Sequence, residues 1–204
     1  MKIKSLLSAV LIVTISLSSC KSGSTGNKSG GQNRSVASDI KTSDTMSSDF
    51  DQIIDSLTIN GADIKFPVTI DSLGEGYSYD KSSLISGGDM AFCNLMYNNK
   101  MIGSCQLAQC GDDKYTDKPM SMLCILNTGK KKDDPSYTEA SISDISMDSK
   151  LEDVTASFGD PQFAAYNSDT KNYELQYIKD DENKIEIYVD DSVNKIAIYY
   201  QHEK

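Results

Sequence analysis

Hydrophobic and polar residues alternate along the last third of the chain, and the alternation predicts three consecutive β-strands. The apolar members are every second residue: Tyr173, Leu175, Tyr177, then Ile185, Ile187, Val189, then Ile196, Ile198, Tyr200. Because successive side chains of a strand point to opposite faces, one face of this sheet is expected to be aliphatic. Polar turns separate the runs at 180–183 and 190–194. The pattern predicts an antiparallel meander whose aliphatic face needs a cover.

A helical spacing comes directly before the meander. Leu151, Val154 and Phe158 recur at intervals of three and four, after an Asp-Ser pair whose short side chains can cap a first turn. Gly159 is typical of a helix end. We therefore expect a helix over about 149–158 that packs on the antiparallel β-meander, which is an α+β fold class.

The first half of the chain predicts hairpins. Asn60-Gly61 can supply the positive φ angles of a tight turn within 58–66. Two apolar runs, 90–97 and 101–109, flank Asn98-Asn99-Lys100, and a third run covers 120–126. We therefore expect a first α+β half over 50–135 and a second over 136–204, arranged as two such halves in tandem.

The first 20 residues have the pattern of an export signal. Basic Lys2 and Lys4 precede an apolar run that ends at Leu17-Ser18-Ser19-Cys20. The run is shorter than the roughly 20 residues that a transmembrane helix needs. These four residues resemble the lipobox of bacterial lipoproteins. The resemblance implies a signal peptide over 1–19, cleavage before Cys20, and lipidation of Cys20 by a diacylglycerol that holds the protein at the extracytoplasmic face of the cell membrane.

A segment of Ser, Gly, Thr, Asn and Asp follows the cysteine as far as Asp49. Such a composition buries too little apolar surface to offset its ordering entropy. We expect residues 20–49 to be a lipidated cysteine and a flexible tether, with an r.m.s. reach of roughly 30 Å.

The charge of the chain limits its partners. Removal of residues 1–19 takes away two lysines and leaves 18 basic and 30 acidic side chains, a formal net charge of −12. Nucleic acids are bound by clustered Lys and Arg, and the one tight cluster, 130–132, is followed at once by two aspartates. The composition therefore predicts no nucleic-acid partner, and it leaves attachment to the membrane to the lipid on Cys20.

Four cysteines remain in the mature chain: Cys93, Cys105, Cys110 and Cys124. An even number in an exported protein permits disulfides, with three possible connectivities, and buried free thiols are the alternative. If the turn at Asn98 has three residues, Cys93 lies directly opposite Cys105; if it has two, the register slips by one. The spacing of these cysteines and the single His202 do not match a zinc site, and we expect no metal and no cofactor.

Catalytic signatures are missing from the sequence. His202, the sole histidine, stands near the end of the chain, where a Ser/His or Cys/His pair is improbable. The acidic clusters at 112–113, 180–182 and 190–191 do not follow the spacing of a calcium loop and are typical of solvated turns. A cell-wall or thiol-dependent enzyme remains the alternative to a non-enzymatic function, and it would need an exposed cysteine with a lowered pKa.

The tyrosines supply the candidate binding residues. Tyr188 and Tyr199 alternate with aliphatic residues, so they are expected on the face opposite the aliphatic one. Aromatic side chains on an exposed sheet can bind a protein or a glycan, and they can also be covered by another part of the chain or simply favour strands.

The run from Ile145 to Pro161, followed by three strands, resembles the repeat of the β-lactamase-inhibitor-like and SmpA/OmlA-like small lipoproteins, and also uncharacterised lipoproteins of Gram-positive anaerobes. The similarity covers about 142–200 and only faintly 52–126, where the Gly-x-Pro helix end is missing. Understood members of this group bind other proteins, so the resemblance implies a non-catalytic binding module of the cell envelope, whose partner is an unknown envelope protein or glycan.

Overall fold

Period-two patterning extends through most of the chain, and it builds a structure dominated by β-strands. The computed structural model describes residues 33–110, 114–127, 129, 132, 134–135 and 137–201. Strands make up 42% of the described residues and helices, with the 3₁₀ turns, 12%. The strands are β1 (Arg34–Val36), β2 (Thr58–Ile59), β3 (Ala62–Asp63), β4 (Tyr77–Tyr79), β5 (Ile85–Gly87), β6 (Met90–Tyr97), β7 (Lys100–Ala108), β8 (Met120–Leu126), β9 (Ala140–Ile142), β10 (Ile145–Ser146), β11 (Phe163–Asn167), β12 (Asn172–Ile178), β13 (Lys184–Val189) and β14 (Val193–Tyr199). The helices are α1 (Phe50–Ile54) and α2 (Leu151–Phe158), with short 3₁₀ turns at Asp71–Leu73 and Lys81–Ser83.

One ten-stranded antiparallel sheet forms the body of the fold. Its strand order is β1-β11-β12-β13-β14-β8-β7-β6-β4, and β5 also pairs with β6. A smaller sheet has the order β10-β9-β2-β3. The junction between β14 and β8 joins the C-terminal meander to the strands of the first half, with Ile198 opposite Leu123.

The predicted α+β fold class is wrong: the protein is mostly antiparallel β-sheet, and no helix-covered meander forms a unit of its own. The three C-terminal strands form where the alternation places them, but they are part of the large sheet. The proposed halves 50–135 and 136–204 share that sheet, and Gln32–Lys204 is one compact unit. Two helices of five and eight residues are too short to cover a sheet of this width.

The aliphatic side of the sheet, here called the first face, contains the core. It is marked by a row of cross-strand partners that are all almost fully buried: Cys93, Cys105, Leu123, Ile198, Ile185 and Tyr177. Both helices and the small sheet contribute to the same core, through residues such as Ile53, Phe158 and Ile142. Burial of this apolar surface is the main stabilising contribution to the fold.

The helix predicted at 149–158 forms over Leu151–Phe158, but its cap differs from the prediction. The N-cap residue is Lys150, whose backbone N–H donates to the Asp153 carboxylate at 2.8 Å. Ser149 instead accepts from the backbone N–H of Ser146. The Asp153 carboxylate therefore accepts a hydrogen bond from the free backbone N–H at the start of the helix. Its negative charge in the first turn also suits the helix dipole.

The predicted turn at Asn60-Gly61 forms, and of the two lengths considered for the turn after Tyr97 the structure has the two-residue one, Asn98-Asn99. Asn60 and Gly61 have φ angles of +51° and +79°, and Asn98 and Asn99 have +48° and +64°. Both are the two-residue turns with positive φ that match the twist of paired strands.

Residues 33–49 lie within the segment expected to be a tether, yet they pack on the domain. β1 pairs with β11, and Ala37 is 4% exposed. Ser47 donates to the carbonyl of Phe158 at 3.0 Å, at the end of α2. The packed part of the chain therefore begins before the expected boundary at residue 50, because sparse apolar residues such as Ala37 find partners on a sheet edge that composition does not reveal.

The expected signal peptide and Cys20 lie outside the described residues. Among the helices that the structure describes, none is long and apolar enough to cross a membrane.

Candidate binding surface on the second face of the sheet

The second face of the large sheet is the side opposite the core. Its centre is a row of consecutive cross-strand partners: Asn94, Ser104, Cys124, Ala197, Glu186, Gln176 and Phe163. The buried cluster on this face consists of Met122, Cys124 and Ala197, with Phe92, Leu126 and Tyr199 packed against it. All six belong to strands of the large sheet, whereas the helices and the small sheet join the core of the first face. Among the described residues, no other element contributes to this cluster.

A carboxylate forms the centre of the polar half of this face. Glu186 is only 5% exposed. It accepts from the Lys184 ammonium at 2.7 Å and from the Gln176 amide at 3.3 Å. The hydroxyls of Tyr188 and Tyr199 donate to its other oxygen at 3.3 and 3.4 Å. Four donors therefore compensate the burial of this charge, as a buried carboxylate requires.

Gln176 extends the network toward the edge of the sheet. The same amide nitrogen also donates to Glu174 at 2.7 Å, and the Arg34 guanidinium lies 2.5 Å from that carboxylate. Arg34 belongs to β1, so this ion pair joins the edge strand to β12. The polar network consequently includes residues of four strands, β1, β12, β13 and β14, and it spans β11 between the first two.

Lysine ammonium groups lie over the two predicted tyrosines. Lys195 Nζ lies 3.6 Å from the ring centroid of Tyr188, and Lys184 Nζ lies 4.5 Å from that of Tyr199. Burial, followed by the carboxylate charges of Glu186 and Glu174, raises the pKa of Tyr188 above its ordinary value. Burial and the charge of Glu186 raise the pKa of Tyr199 in the same direction. Both phenols are therefore neutral hydrogen-bond donors at physiological pH.

The other half of the second face is apolar. A row of cross-strand partners leads from the edge of the sheet to Tyr199: Ile85, Phe92, Gln106, Met122 and Tyr199. Ile85 is 71% exposed, and Met90, two residues before Phe92 on β6, is 36% exposed. Exposing apolar side chains to water to this extent is unfavourable, and contact with a partner would remove that cost.

Four large apolar side chains are exposed in the described structure, and register places all of them on this face. Met101 pairs with Met96, which shares the face of Phe92 by alternation along β6. Val36 pairs with Ala165, and Ala165 pairs with Glu174, so Val36 shares the face of Glu174 and its polar network. Ile85 and Met90 complete the set. Ile85, Met90 and Met101 lie on the neighbouring strands β5, β6 and β7, whereas Val36 lies on β1 at the opposite edge of the sheet. Exposed apolar groups on neighbouring strands of one face are typical of a binding surface.

The predicted site residues thus fall into separate places. Tyr188 and Tyr199 lie on the second face as expected, but they are half-buried in a charged network and do not project freely. Cys93 and Cys105 are partners on the first face. Cys124 lies on the second face opposite Ser104, and Cys110 follows the end of β7; both are buried. Cys20 lies outside the described residues.

Sequence reasoning missed the charged partners of the tyrosines. Glu174, Lys184, Glu186 and Lys195 alternate with core residues on three consecutive strands, so their shared face could have been read from the same period-two pattern. What the pattern does not contain is register. Only the pairing of β12, β13 and β14 brings two glutamates, two lysines and two tyrosines together.

A depression of 350 Å³ lies beside α1. Its lining includes three aspartates and Lys179. Asp49 caps the first turn of α1, accepting from the N–H of Asp51 at 3.0 Å. The Asp51 carboxylate pairs with Lys179 at 2.9 Å. Asp49, Asp51 and Lys179 thus have structural partners, so the depression is a weaker candidate than the second face.

The acidic turn at 180–182 is held by its own hydrogen bonds. Asp180 accepts from the backbone N–H groups of Glu182 and Asn183 at 2.9 and 2.8 Å. Within the described part of the chain, no group of three or more His, Cys, Asp and Glu side chains is placed to hold a metal ion.

Comparison of the chain with protein-family models, with curated proteins and with solved structures finds no match. The resemblance to small lipoproteins stays a prediction from the sequence.

Proposed function

We propose that this protein is a lipid-anchored, non-catalytic binding module of the cell envelope, and that it binds a protein partner on the second face of its large sheet. The observation that carries the proposal is the position of Ile85, Met90 and Met101 on the neighbouring strands β5, β6 and β7, with Val36 on the β1 edge of the same face. These four exposed apolar side chains all lie on the face that no described helix covers. Contact with a partner would remove them from water.

The anchor in this proposal comes from the sequence. Lys2 and Lys4, the apolar run and Leu17-Ser18-Ser19-Cys20 follow the order of a lipoprotein signal. Two acyl chains on Cys20 would hold the protein stably at the extracytoplasmic face of the membrane, where a single chain would bind only marginally.

A protein is favoured over a glycan by the surroundings of the tyrosines. A sugar ring stacks on an open aromatic face, but Lys195 and Lys184 already lie over Tyr188 and Tyr199. Protein interfaces instead combine aromatic, Met and Arg side chains with a polar rim. The second face has that composition, with Phe92, Met90 and Met101 on β6 and β7 and the Glu186 network on β12, β13 and β14. The cluster of Met122 and Tyr199 lies between them.

The alternative of a thiol-dependent enzyme requires an accessible thiolate. Cys93, Cys105, Cys110 and Cys124 are all buried, and the most exposed of them is Cys124 at 6%. Burial also raises the pKa of Cys124, which keeps that thiol protonated. These features support binding over thiol chemistry.

In-cell photo-crosslinking tests the proposal. Full-length protein would carry the photoreactive residue benzoylphenylalanine at position 85, on the second face, or at position 52, an exposed position of α1 on the other side of the sheet. We expect irradiation to give a discrete protein adduct from position 85 and none from position 52. Equal labelling from both positions, or no protein adduct from position 85, would count against the proposal; binding to isolated envelope glycan that Ile85→Glu abolishes would favour a glycan partner instead.

A further inference from the structure

Cys93 and Cys105 face each other directly across β6 and β7. Each is the other's cross-strand partner, and their Sγ atoms are 3.5 Å apart. Both side chains are 0% exposed in the core of the first face. Sulfur atoms at this separation need a rearrangement of side chains, and no change of strand register, to form a bond of about 2.05 Å.

A β-bulge produces this alignment. The two-residue turn Asn98-Asn99 pairs Tyr97 with Lys100, a register in which Cys93 would not meet Cys105. The register shifts between the pairs of Met96 and Leu95, where β7 contains one additional residue. The inserted residue, Ile102, is 1% exposed in the core. The bulge thus restores the pairing that a three-residue turn would have given.

We propose that Cys93 and Cys105 form a cross-strand disulfide in the mature protein, and that Cys110 and Cys124 remain thiols. Cys124 is excluded as a partner of Cys105 by geometry, because its own cross-strand partner is Ser104 and the two sulfur atoms lie on opposite faces of the sheet. Cys110 lies beyond the last residue of β7, with its Sγ 3.7 Å from the carbonyl of Ala108. This inference does not depend on the proposed binding function.

The oxidant is a disulfide, supplied by a small molecule or by an oxidoreductase of the envelope. The thiolate of one of the two cysteines attacks one sulfur of that disulfide, forms a mixed disulfide and releases one thiolate. The thiolate of the other cysteine then attacks the protein sulfur of the mixed disulfide and releases the second thiolate. Two protein thiols and one disulfide become one protein disulfide and two thiols, so atoms and electrons balance.

The environment of the pair suits this exchange during folding. Because neither sulfur is accessible in the folded protein, exchange takes place while the hairpin is still open, and the completed core then protects the bond from reductants.

Peptide mapping tests the proposal on the full chain with Cys20→Ala, which removes the fifth thiol. The protein is refolded with oxidised and reduced glutathione, alkylated, cleaved with trypsin and analysed by mass spectrometry. Cleavage after Lys100 separates Cys93 from Cys105. We expect a peptide containing Cys93 to be linked to the peptide 101–114, with alkylated Cys110 and Cys124. Four alkylated cysteines, or a link through Cys110 or Cys124, would overturn the proposal.

Matched variants assign the linked residue, because the peptide 101–114 contains both Cys105 and Cys110. We expect the link to persist in Cys110→Ser and to disappear in Cys105→Ser. The melting temperature of the oxidised parent chain should exceed that of the reduced parent chain by about 5–10 °C, from the closure of a short hairpin loop. A link that survives in Cys105→Ser, or equal melting temperatures with and without reductant, would contradict the assignment.

Discussion

Phe158, the last residue of α2, packs edge-to-face on Tyr177 of β12, with ring centroids 5.2 Å apart and an interplanar angle of 89°. The two rings are 1% and 0% exposed. The Tyr177 hydroxyl donates to the carbonyl of Gly159 at 3.3 Å. Helix and sheet are therefore connected by an aromatic pair and a hydrogen bond at one point.

Replacing Phe158 with Ala should lower the free energy of unfolding by about 3–5 kcal/mol, because it removes a fully buried ring and leaves a cavity against Tyr177. Chemical denaturation of the full chain measures the change. Glu152→Ala, at an exposed position of the same helix, is the control and should have a small effect. A loss below about 1 kcal/mol for Phe158→Ala would show that the helix does not pack on the sheet as described.

Gly103 should not tolerate a side chain. A Cβ at this position would lie 1.9 Å from the carbonyl oxygen of Cys124 on the neighbouring strand. Because that contact is with backbone, Gly103→Ala must displace β7 from β8 and should cost about 1–3 kcal/mol or more. Gly87→Ala is the matched control, since nothing lies within 4 Å of a Cβ there. Thermal unfolding of both variants checks the prediction, and equal stability of the two would contradict the pairing of β7 and β8.

Alkaline pH should destabilise the protein in part through Tyr188 and Tyr199. Their pKa values are raised above the ordinary value of 10.0 in the folded state, first by burial. The folded state therefore favours the neutral phenols, and the stability they contribute is complete below pH 10 and declines as the pH rises toward the raised pKa values. The double variant Tyr188→Phe with Tyr199→Phe should lose less stability between pH 8 and pH 11 than the parent chain.

Urea titrations at the two pH values measure this difference. At pH 8 the double variant should be less stable than the parent by about 1–3 kcal/mol, because two hydrogen bonds to Glu186 are lost. Tyr177 remains in both chains, and burial raises its pKa as well. It therefore accounts for a residual loss of stability at alkaline pH in both chains. Parallel pH profiles for the two chains would mean that the two phenols are accessible to water.

Cys20→Ala should release the protein from the membrane without unfolding it. Cys20 precedes the first described residue of the fold by 13 positions, so its substitution leaves the core untouched. Fractionation of cells that express the variant, followed by a melting curve of the released protein, measures both properties. Retention in the membrane fraction would show that attachment depends on something other than the lipid.

The sequence permits prediction of local structure further than of architecture. Alternation located β12, β13 and β14, helical spacing located α2, and Asn60-Gly61 located a turn, because each depends on neighbouring residues. The pairing of β14 with β8 joins residues about 70 positions apart, and nothing in the period-two pattern specifies it. That single pairing turns two expected halves into one sheet.

The candidate site was predictable in part for the same reason. The face of Tyr188 and Tyr199 followed from alternation, but their contact with Glu186 follows from register. Exposure of Ile85 depends on its place at the edge of the sheet, which the sequence does not state. The alignment of Cys93 with Cys105 depends on a bulge in β7 that no local pattern in the sequence indicates.

The affinity of an Ile85→Glu variant for its partner decides whether the second face is the binding surface. Ile85 is 71% exposed, so the substitution should leave the melting temperature unchanged. With the partner recovered by crosslinking, we expect Ile85→Glu to weaken binding of the full chain about tenfold or more, which corresponds to about 1.4 kcal/mol. Gln52→Glu, which adds the same charge on α1, should bind like the parent. Unchanged affinity of Ile85→Glu, or equal losses in the two variants, would contradict a partner on the second face.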